Sequence, residues 1–140
     1  MRSNEIQFTV EFGNTDAAGI VFYPNYFMWF DKGTHWLFKS MNLAPKELQA
    51  KHNIILPLLD AQCTFENALV YDDLITIKSK IVEINRKTIK VQHEIYKDGI
   101  RACNGYEVRG WVKKEGEHIA TTLIPDDVKE ILMTVPVGEK

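Results

Sequence analysis

One carboxylate, Asp16, lies in the small-residue stretch Asp16-Ala17-Ala18-Gly19, just ahead of an apolar segment that reaches Pro24. Proline suits the first turn of a helix, so the pattern predicts a tight loop that delivers Asp16 to a helix start. The unpaired N–H groups of a helix start can stabilise an oxyanion. Asp16 could therefore attack a substrate carbonyl carbon, or direct water at it, while those amides hold the developing charge on oxygen. Aspartate also closes turns and caps helices, so Asp16 has an ordinary structural reading as well. The usual hydrolytic alternatives have no motif: the sequence contains neither a G-x-S-x-G elbow nor a Cys/His pair with a recognisable local signature. His35, His52, His93 and His118 show no ligand spacing such as H-E-x-x-H, so no metal is expected. His93 in an alternating strand and His35 in the helix read as packing or surface residues.

The elements that must position Asp16 can be read from periodicity. Ile6, Phe8 and Val10 alternate with polar residues, predicting a strand over 6–12. From Pro24 to about Met41, Tyr26, Phe30, Gly33, Leu37 and Met41 recur at spacings of three and four, a stripe suited to burial against a sheet. Gly33 costs such a helix about 1 kcal/mol relative to Ala, which a close approach of helix to sheet would explain. After a short helix or loop over 45–52, the chain reads as β structure. One extended segment is expected over 54–69, and clean alternation follows over 74–84 with Ile75, Ile77 and Ile81 on one face. Ile89, Val91, His93 and Ile95 alternate again before the hairpin signal Asp98-Gly99. A long strand is expected over 101–113, with Gly105 and Gly110 suggesting a bulge or bend. A last strand follows the turn at Glu115-Gly116, and a short helix is expected over 125–133. One long helix and a meander of strands predict an α+β fold in which a curved antiparallel sheet wraps the helix.

The 140 residues suit a single domain, residues 1–140. With 17 basic and 19 acidic residues the net charge is −2, which argues against a nucleic-acid surface or a polybasic membrane patch. No apolar run approaches the roughly 20 residues that span a bilayer, and the first residues lack a signal-peptide core, so a cytoplasmic location is expected. Cys63 and Cys103 are too few and too separated in sequence for a disulfide framework, and read as small buried thiols.

The ordered run GNTDAAGIVFYPNYFMWFD resembles the signature of the 4-hydroxybenzoyl-CoA thioesterase family of hotdog-fold proteins. The similarity extends from the first strand near Phe8 to the last near Ile119. It implies a hotdog domain that assembles as a homo-oligomer, a dimer or dimer of dimers, and hydrolyses an acyl-CoA without a cofactor. Asp16 would be the nucleophile or general base, and the backbone N–H of Tyr23 would polarise the thioester carbonyl. A thioester carbon is electrophilic and its thiolate leaves readily, so no metal or Ser-His pair is needed.

The resemblance also gives Asp31 a role beyond that of a solvated helix position: accepting a hydrogen bond from the phenolic hydroxyl of a hydroxybenzoyl group. The aromatic neighbours Phe22, Tyr23, Trp29 and Phe30 could wall such a pocket, although aromatics at helical spacing more often form simple core. Arg86, Lys87 and Thr88, otherwise a solvated hairpin tip, match the basic turn that meets the CoA nucleotide, with Lys90 a possible third cation. Pro24 stands where a related short-chain branch usually has histidine, which favours aromatic acyl groups. Leu56-Pro57 stands where the hydroxybenzoyl enzyme has Thr before Pro, which makes a differently hydroxylated ester, such as gentisyl-CoA, an equal candidate. The alternatives are a short-chain or fatty acyl-CoA thioesterase and, from another class, a non-catalytic acyl-CoA-binding protein.

Overall fold

The computed structural model describes residues 1–135. Strand β1 (Ser3–Thr9) leads through a short 3-10 turn (Phe12–Asn14) and an irregular loop into the long helix α1 (Pro24–Ser40). Helix α2 (Pro45–His52), strands β2 (Ile54–Ile55), β3 (Leu58–Phe65), β4 (Leu74–Ile84), β5 (Thr88–Lys97), β6 (Ile100–Gly110), β7 (Val112–Glu115) and β8 (His118–Thr121), and helix α3 (Asp126–Met133) follow. The principal sheet has the order β1-β4-β5-β6-β3, antiparallel throughout. β2, β7 and β8 form a small second sheet. This is the expected α+β hotdog arrangement, with α1 laid across the inner face of the principal sheet. No helix among the described residues is long and apolar enough to cross a membrane.

The stripe read from the sequence is the buried face of α1: Tyr26, Phe30, Gly33 and Leu37 are all buried, and Met41 follows at the helix end. Trp29, Thr34 and Phe38 widen it. Beneath it lie Ile75, Ile77, Ile81, Ile89, Val91 and Ile95, the inward positions of β4 and β5. The helix stops because Asn42 takes a left-handed conformation (φ 59°). This lets the Asn42 and Leu43 N–H groups return to the Lys39 and Phe38 carbonyls. Asp98 and Gly99 both have positive φ, as the mirror-image turn of a two-residue hairpin requires.

The long expected segments break where backbone chemistry forces a bend. The extended stretch over 54–69 divides into β2 and β3, which belong to different sheets, and the stretch over 101–113 divides into β6 and β7. Both breaks fall side by side, with the Gly110 N–H bonded to the Pro57 carbonyl at 3.0 Å. Pro57 has no N–H to continue a ladder, so the paired ribbon folds over at this point. Gly105 marks a close approach instead of a bulge: a Cβ there would fall on the Gln62 carbonyl and the Phe30 ring. The strand expected over 6–12 ends at Thr9 because the chain turns into the 3-10 turn, with Glu11 N donating to Asn14 Oδ1 at 2.8 Å.

Candidate active site

The Asp16 loop is a miniature hairpin. Thr15 pairs with Val21, and the Asp16 N–H donates to the Ile20 carbonyl at 2.9 Å. Asp16 Oδ1 accepts from the Ala18 N–H at 2.8 Å, so one carboxylate oxygen closes the turn while the side chain as a whole stays exposed. Gly19, at φ 80°, allows the chain to reverse. Asn14 ties this loop to the start of α1: its carbonyl accepts from the Phe22 N–H and from Asn25 Nδ2, each at 2.8 Å. The Val21 N–H, bonded to the Leu69 carbonyl at 2.8 Å, fastens the other side. Tyr23 is the N-cap of α1, and its N–H donates to no backbone carbonyl among the described residues. An acid and a free amide are thus carried by one braced unit.

Phe22 and Tyr23 are exposed and pack edge-on at 5.2 Å between ring centres. Trp29 goes elsewhere. It is 6% exposed, wedged between Phe8 and Tyr26 in the core, and so backs the helix without lining a cleft.

Asp31, two turns into α1, is paired and only half-exposed. Its Oδ1 accepts from Arg109 Nη2 at 2.7 Å. The two residues share a cleft of about 390 Å³ with Phe27, Met28, Leu58, Ala61 and Glu107. Larger clefts lie against α2, but no residue singled out as catalytic or substrate-binding lines them. Within this single chain Asp16 does not line the Asp31 cleft either.

The sequence model of the thioesterase-like superfamily matches residues 10–132. The chain belongs to that superfamily. The 4-hydroxybenzoyl-CoA thioesterase of Pseudomonas sp. strain CBS-3 is 29% identical over 137 residues, covering 93% of this chain and 97% of the relative. Its solved structure superimposes with a TM-score of 0.86, covering 94% of this chain and 99% of that one. A solved gentisyl-coenzyme A thioesterase is 33% identical, with a TM-score of 0.82 over 94% of this chain and 100% of that one. A 1,4-dihydroxy-2-naphthoyl-CoA hydrolase of Prochlorococcus marinus is 25% identical over 101 residues, 69% of this chain and 67% of the relative. The protein is accordingly a thioester hydrolase, as the resemblance of its signature implied.

In this thioesterase the Arg86–Thr88 turn joins β4 to β5. The Arg86 and Lys87 side chains are exposed, while their carbonyls accept from Ile124 and Trp111 and stitch the turn to the chain on either side of the second sheet. The Thr88 hydroxyl accepts from Asn85 Nδ2 at 3.1 Å. Lys90 lies over the Tyr106 ring at 4.2 Å.

A buried polar network behind Asp31 was not foreseen. Arg109 Nη2 also donates to Glu107 Oε2 at 2.8 Å, and Arg109 Nη1 donates to the Leu56 carbonyl at 3.1 Å. Glu107 accepts from the Thr34 hydroxyl and lies 3.3 Å from His93 Nε2, while His93 Nδ1 lies 2.8 Å from Ser79 Oγ. His93 is fully buried and stacked on Phe30 at 4.7 Å. Every partner is satisfied when neutral His93 carries its proton on Nε2 and accepts at Nδ1 from Ser79. Burial holds the His93 pKa below its ordinary value despite Glu107 beside it. Burial pushes the Glu107 carboxyl up, but His93, the Arg109 charge and Thr34 together hold it below the ordinary range.

The signal for this network was present in the sequence: His93 lies in a buried row with Ile89, Val91 and Ile95, and Glu107 and Arg109 lie in one with Cys103 and Gly105. The two thiols, distant in sequence, are also neighbours. Cys63 and Cys103 sit on paired strands, and hydrogen bonding to Cys63 together with burial pushes the Cys103 thiol well up.

Proposed function

We propose that this hotdog-fold acyl-CoA thioesterase hydrolyses a hydroxylated aromatic acyl-CoA, of the 4-hydroxybenzoyl or gentisyl type, to the free acid and CoA. The observation that carries the reading is the Asp31 carboxylate, set at an apolar cleft with Oδ1 engaged by Arg109. A hydrogen-bond acceptor among Phe27, Met28, Leu58 and Ala61 favours a ring bearing a hydroxyl donor over a bare ring, because binding the bare ring desolvates the acceptor without replacing its hydrogen bonds. Three of the relatives act, by name, on CoA esters of hydroxylated aromatic acids.

In the reaction, the Tyr23 N–H donates to the carbonyl oxygen as it gains negative charge. Asp16 either attacks the carbonyl carbon, expelling CoA thiolate and leaving a mixed anhydride that water opens, or takes the proton of an attacking water. One aimed oxyanion donor is worth roughly 10²–10³ in rate. Arg86, Lys87 and Thr88 bind the CoA nucleotide at the exposed turn.

The active form is a cytosolic homo-oligomer, a dimer of dimers. Edge strand β3 exposes Leu58, Leu59 and Phe65, an apolar edge that pairing would cover. The neighbouring thiols of Cys63 and Cys103 remain free, which suits a reducing compartment.

Steady-state hydrolysis of 4-hydroxybenzoyl-, gentisyl-, benzoyl-, acetyl- and palmitoyl-CoA by the wild type and Asp16→Asn tests the reading. Asn at this position keeps an oxygen for the Ala18 N–H, so the loop should stand while the reactive carboxylate is lost. Fast turnover of a hydroxylated ester, abolished by the substitution, is the expected result. Best activity on an aliphatic ester would transfer the protein to the short-chain or fatty acyl class. Tight binding of every ester without turnover would make it a binding protein.

A further inference from the structure

Arg109 has an arrangement that stability alone does not require. It is buried, yet its guanidinium reaches three places at once: Asp31 on α1, Glu107 on its own strand, and the Leu56 carbonyl at the bend between β2 and β3. Asp31 and Glu107 line one cleft together with Arg109, Phe27, Met28, Leu58 and Ala61, and Leu56 lies two residues before Leu58.

The charges at this cleft do not cancel. One guanidinium serves two carboxylates, and neutral His93 contributes no charge to the group. Glu107 is buried and bonded by Thr34, His93 and Arg109, so the surplus negative charge resides on Asp31. Among the described residues, the side-chain contacts of Asp31 with Arg109 and His35 both fall on Oδ1, which leaves Oδ2 for a ligand.

We propose that Arg109 is a positioning and specificity-determining residue: it holds Asp31 in one rotamer, with Oδ2 presented to an acyl group that carries a hydroxyl donor. The inference rests on the substrate class proposed above. A half-exposed aspartate left to itself samples several rotamers, and a ligand that uses it must first order it. The guanidinium fork performs that ordering in advance, in a geometry that a lysine ammonium does not reproduce. A phenol bonded to a carboxylate fixed in this way makes a short, charge-assisted hydrogen bond. A bare ring gains nothing from it, and a carboxylated ring is repelled by the surplus charge.

The test is the ratio of kcat/KM for 4-hydroxybenzoyl-CoA, or the preferred hydroxylated ester, to that for benzoyl-CoA. It would be measured in the wild type, Arg109→Gln, Asp31→Asn and the double variant of those two. Removing Arg109 leaves Glu107 buried without its countercharge and threatens folding. Glu107→Gln combined with Arg109→Gln keeps that buried pair neutral and supplies a second route to the same reading. The hydroxyl preference should fall about 10- to 100-fold in each Arg109 variant, the scale of a misplaced binding group. In the Asp31→Asn background, loss of Arg109 should reduce the preference no further.

Equal losses on both esters would mean that Arg109 only supports the fold, and the inference would be overturned. A wild type that prefers the hydroxylated ester, with Arg109 variants that retain the preference, would overturn the inference alone and leave the substrate reading standing. A wild type with no hydroxyl preference would overturn both.

Discussion

Gly33 and Ser79 leave no room between them: a methyl group on Gly33 would lie 2.5 Å from Ser79 Oγ, and 3.1 Å from His93 Nδ1. Ser79 cannot swing aside without releasing the buried imidazole it bonds at 2.8 Å. Gly33→Ala is therefore expected to destabilise the protein. Helix propensity returns about 1 kcal/mol, but overpacking costs about 1–3 kcal/mol, and a His93 partner is displaced as well. A urea titration would show a lower midpoint with an unchanged slope; a midpoint at or above the wild type would mean that α1 slides to make room.

Acid should loosen the same region. His93 is held below its ordinary pKa of 6.5 by burial, so below that pH the unfolded chain takes up a proton that the folded chain refuses. Folding stability then falls as pH drops from 6.5 toward the folded value, by up to about 1.4 kcal/mol per pH unit for this one group. Glu107 acts in the same direction at lower pH, because its folded carboxyl is held below 4.5 and its contribution disappears on protonation. The charged groups facing His93 are Glu107 and, beyond it, Arg109 and Asp31, so protonating the ring would also rearrange the network behind the cleft. Denaturant unfolding at pH 7.0 and 5.5 (chosen about one pH unit below the ordinary histidine value) should show a smaller difference for His93→Gln than for the wild type. Equal differences would assign the acid sensitivity to other groups.

Much of this was legible in the sequence. The α1 stripe, the alternation over β4 and β5 and the Asp98-Gly99 turn each follow from local rules, and each lies where those rules placed it. The family was legible through the ordered run of residue types around Asp16. What remained hidden depended on pairing between distant segments. Nothing near Pro57 says that Gly110 will bend beside it, and nothing near Arg109 says that Asp31 will be its partner 78 positions away. Alternation assigned His93 to an inward row, but only the sheet reveals that Ser79, Thr34 and Glu107 meet it there.

The proposed part of Tyr23 in catalysis belongs to its backbone, which gives an unusual test. Its φ of −55° is one that proline adopts without strain. Tyr23→Pro therefore removes the N–H with little demand on that residue's own torsion, while Tyr23→Ala removes only the exposed ring. The Ala variant should retain most of its kcat, and the Pro variant should lose roughly 10²–10³ of it. Equal losses would move the role from the amide to the aromatic side chain. Circular dichroism of both variants would verify that α1 still forms.

The placement of β1 has a consequence for how the enzyme comes to life. Its partner is β4, with Phe8 set against Ile75 and Ile6 against Ile77, so nearly half the chain must be in place before this pairing closes. The meander β4-β5-β6 needs only neighbouring segments, and loops of such different length do not close at the same rate. The Asp16 loop hangs between these two schedules. Its approach from β1 is fastened by Val10 to Asp72 and Asp73, and its exit by Val21 to Leu69. The proposed reaction centre is thus expected to assemble late and to be released early. Hydrogen exchange is expected to show β1 amides opening before those of the β4-β5-β6 meander, with thioesterase activity lost alongside β1.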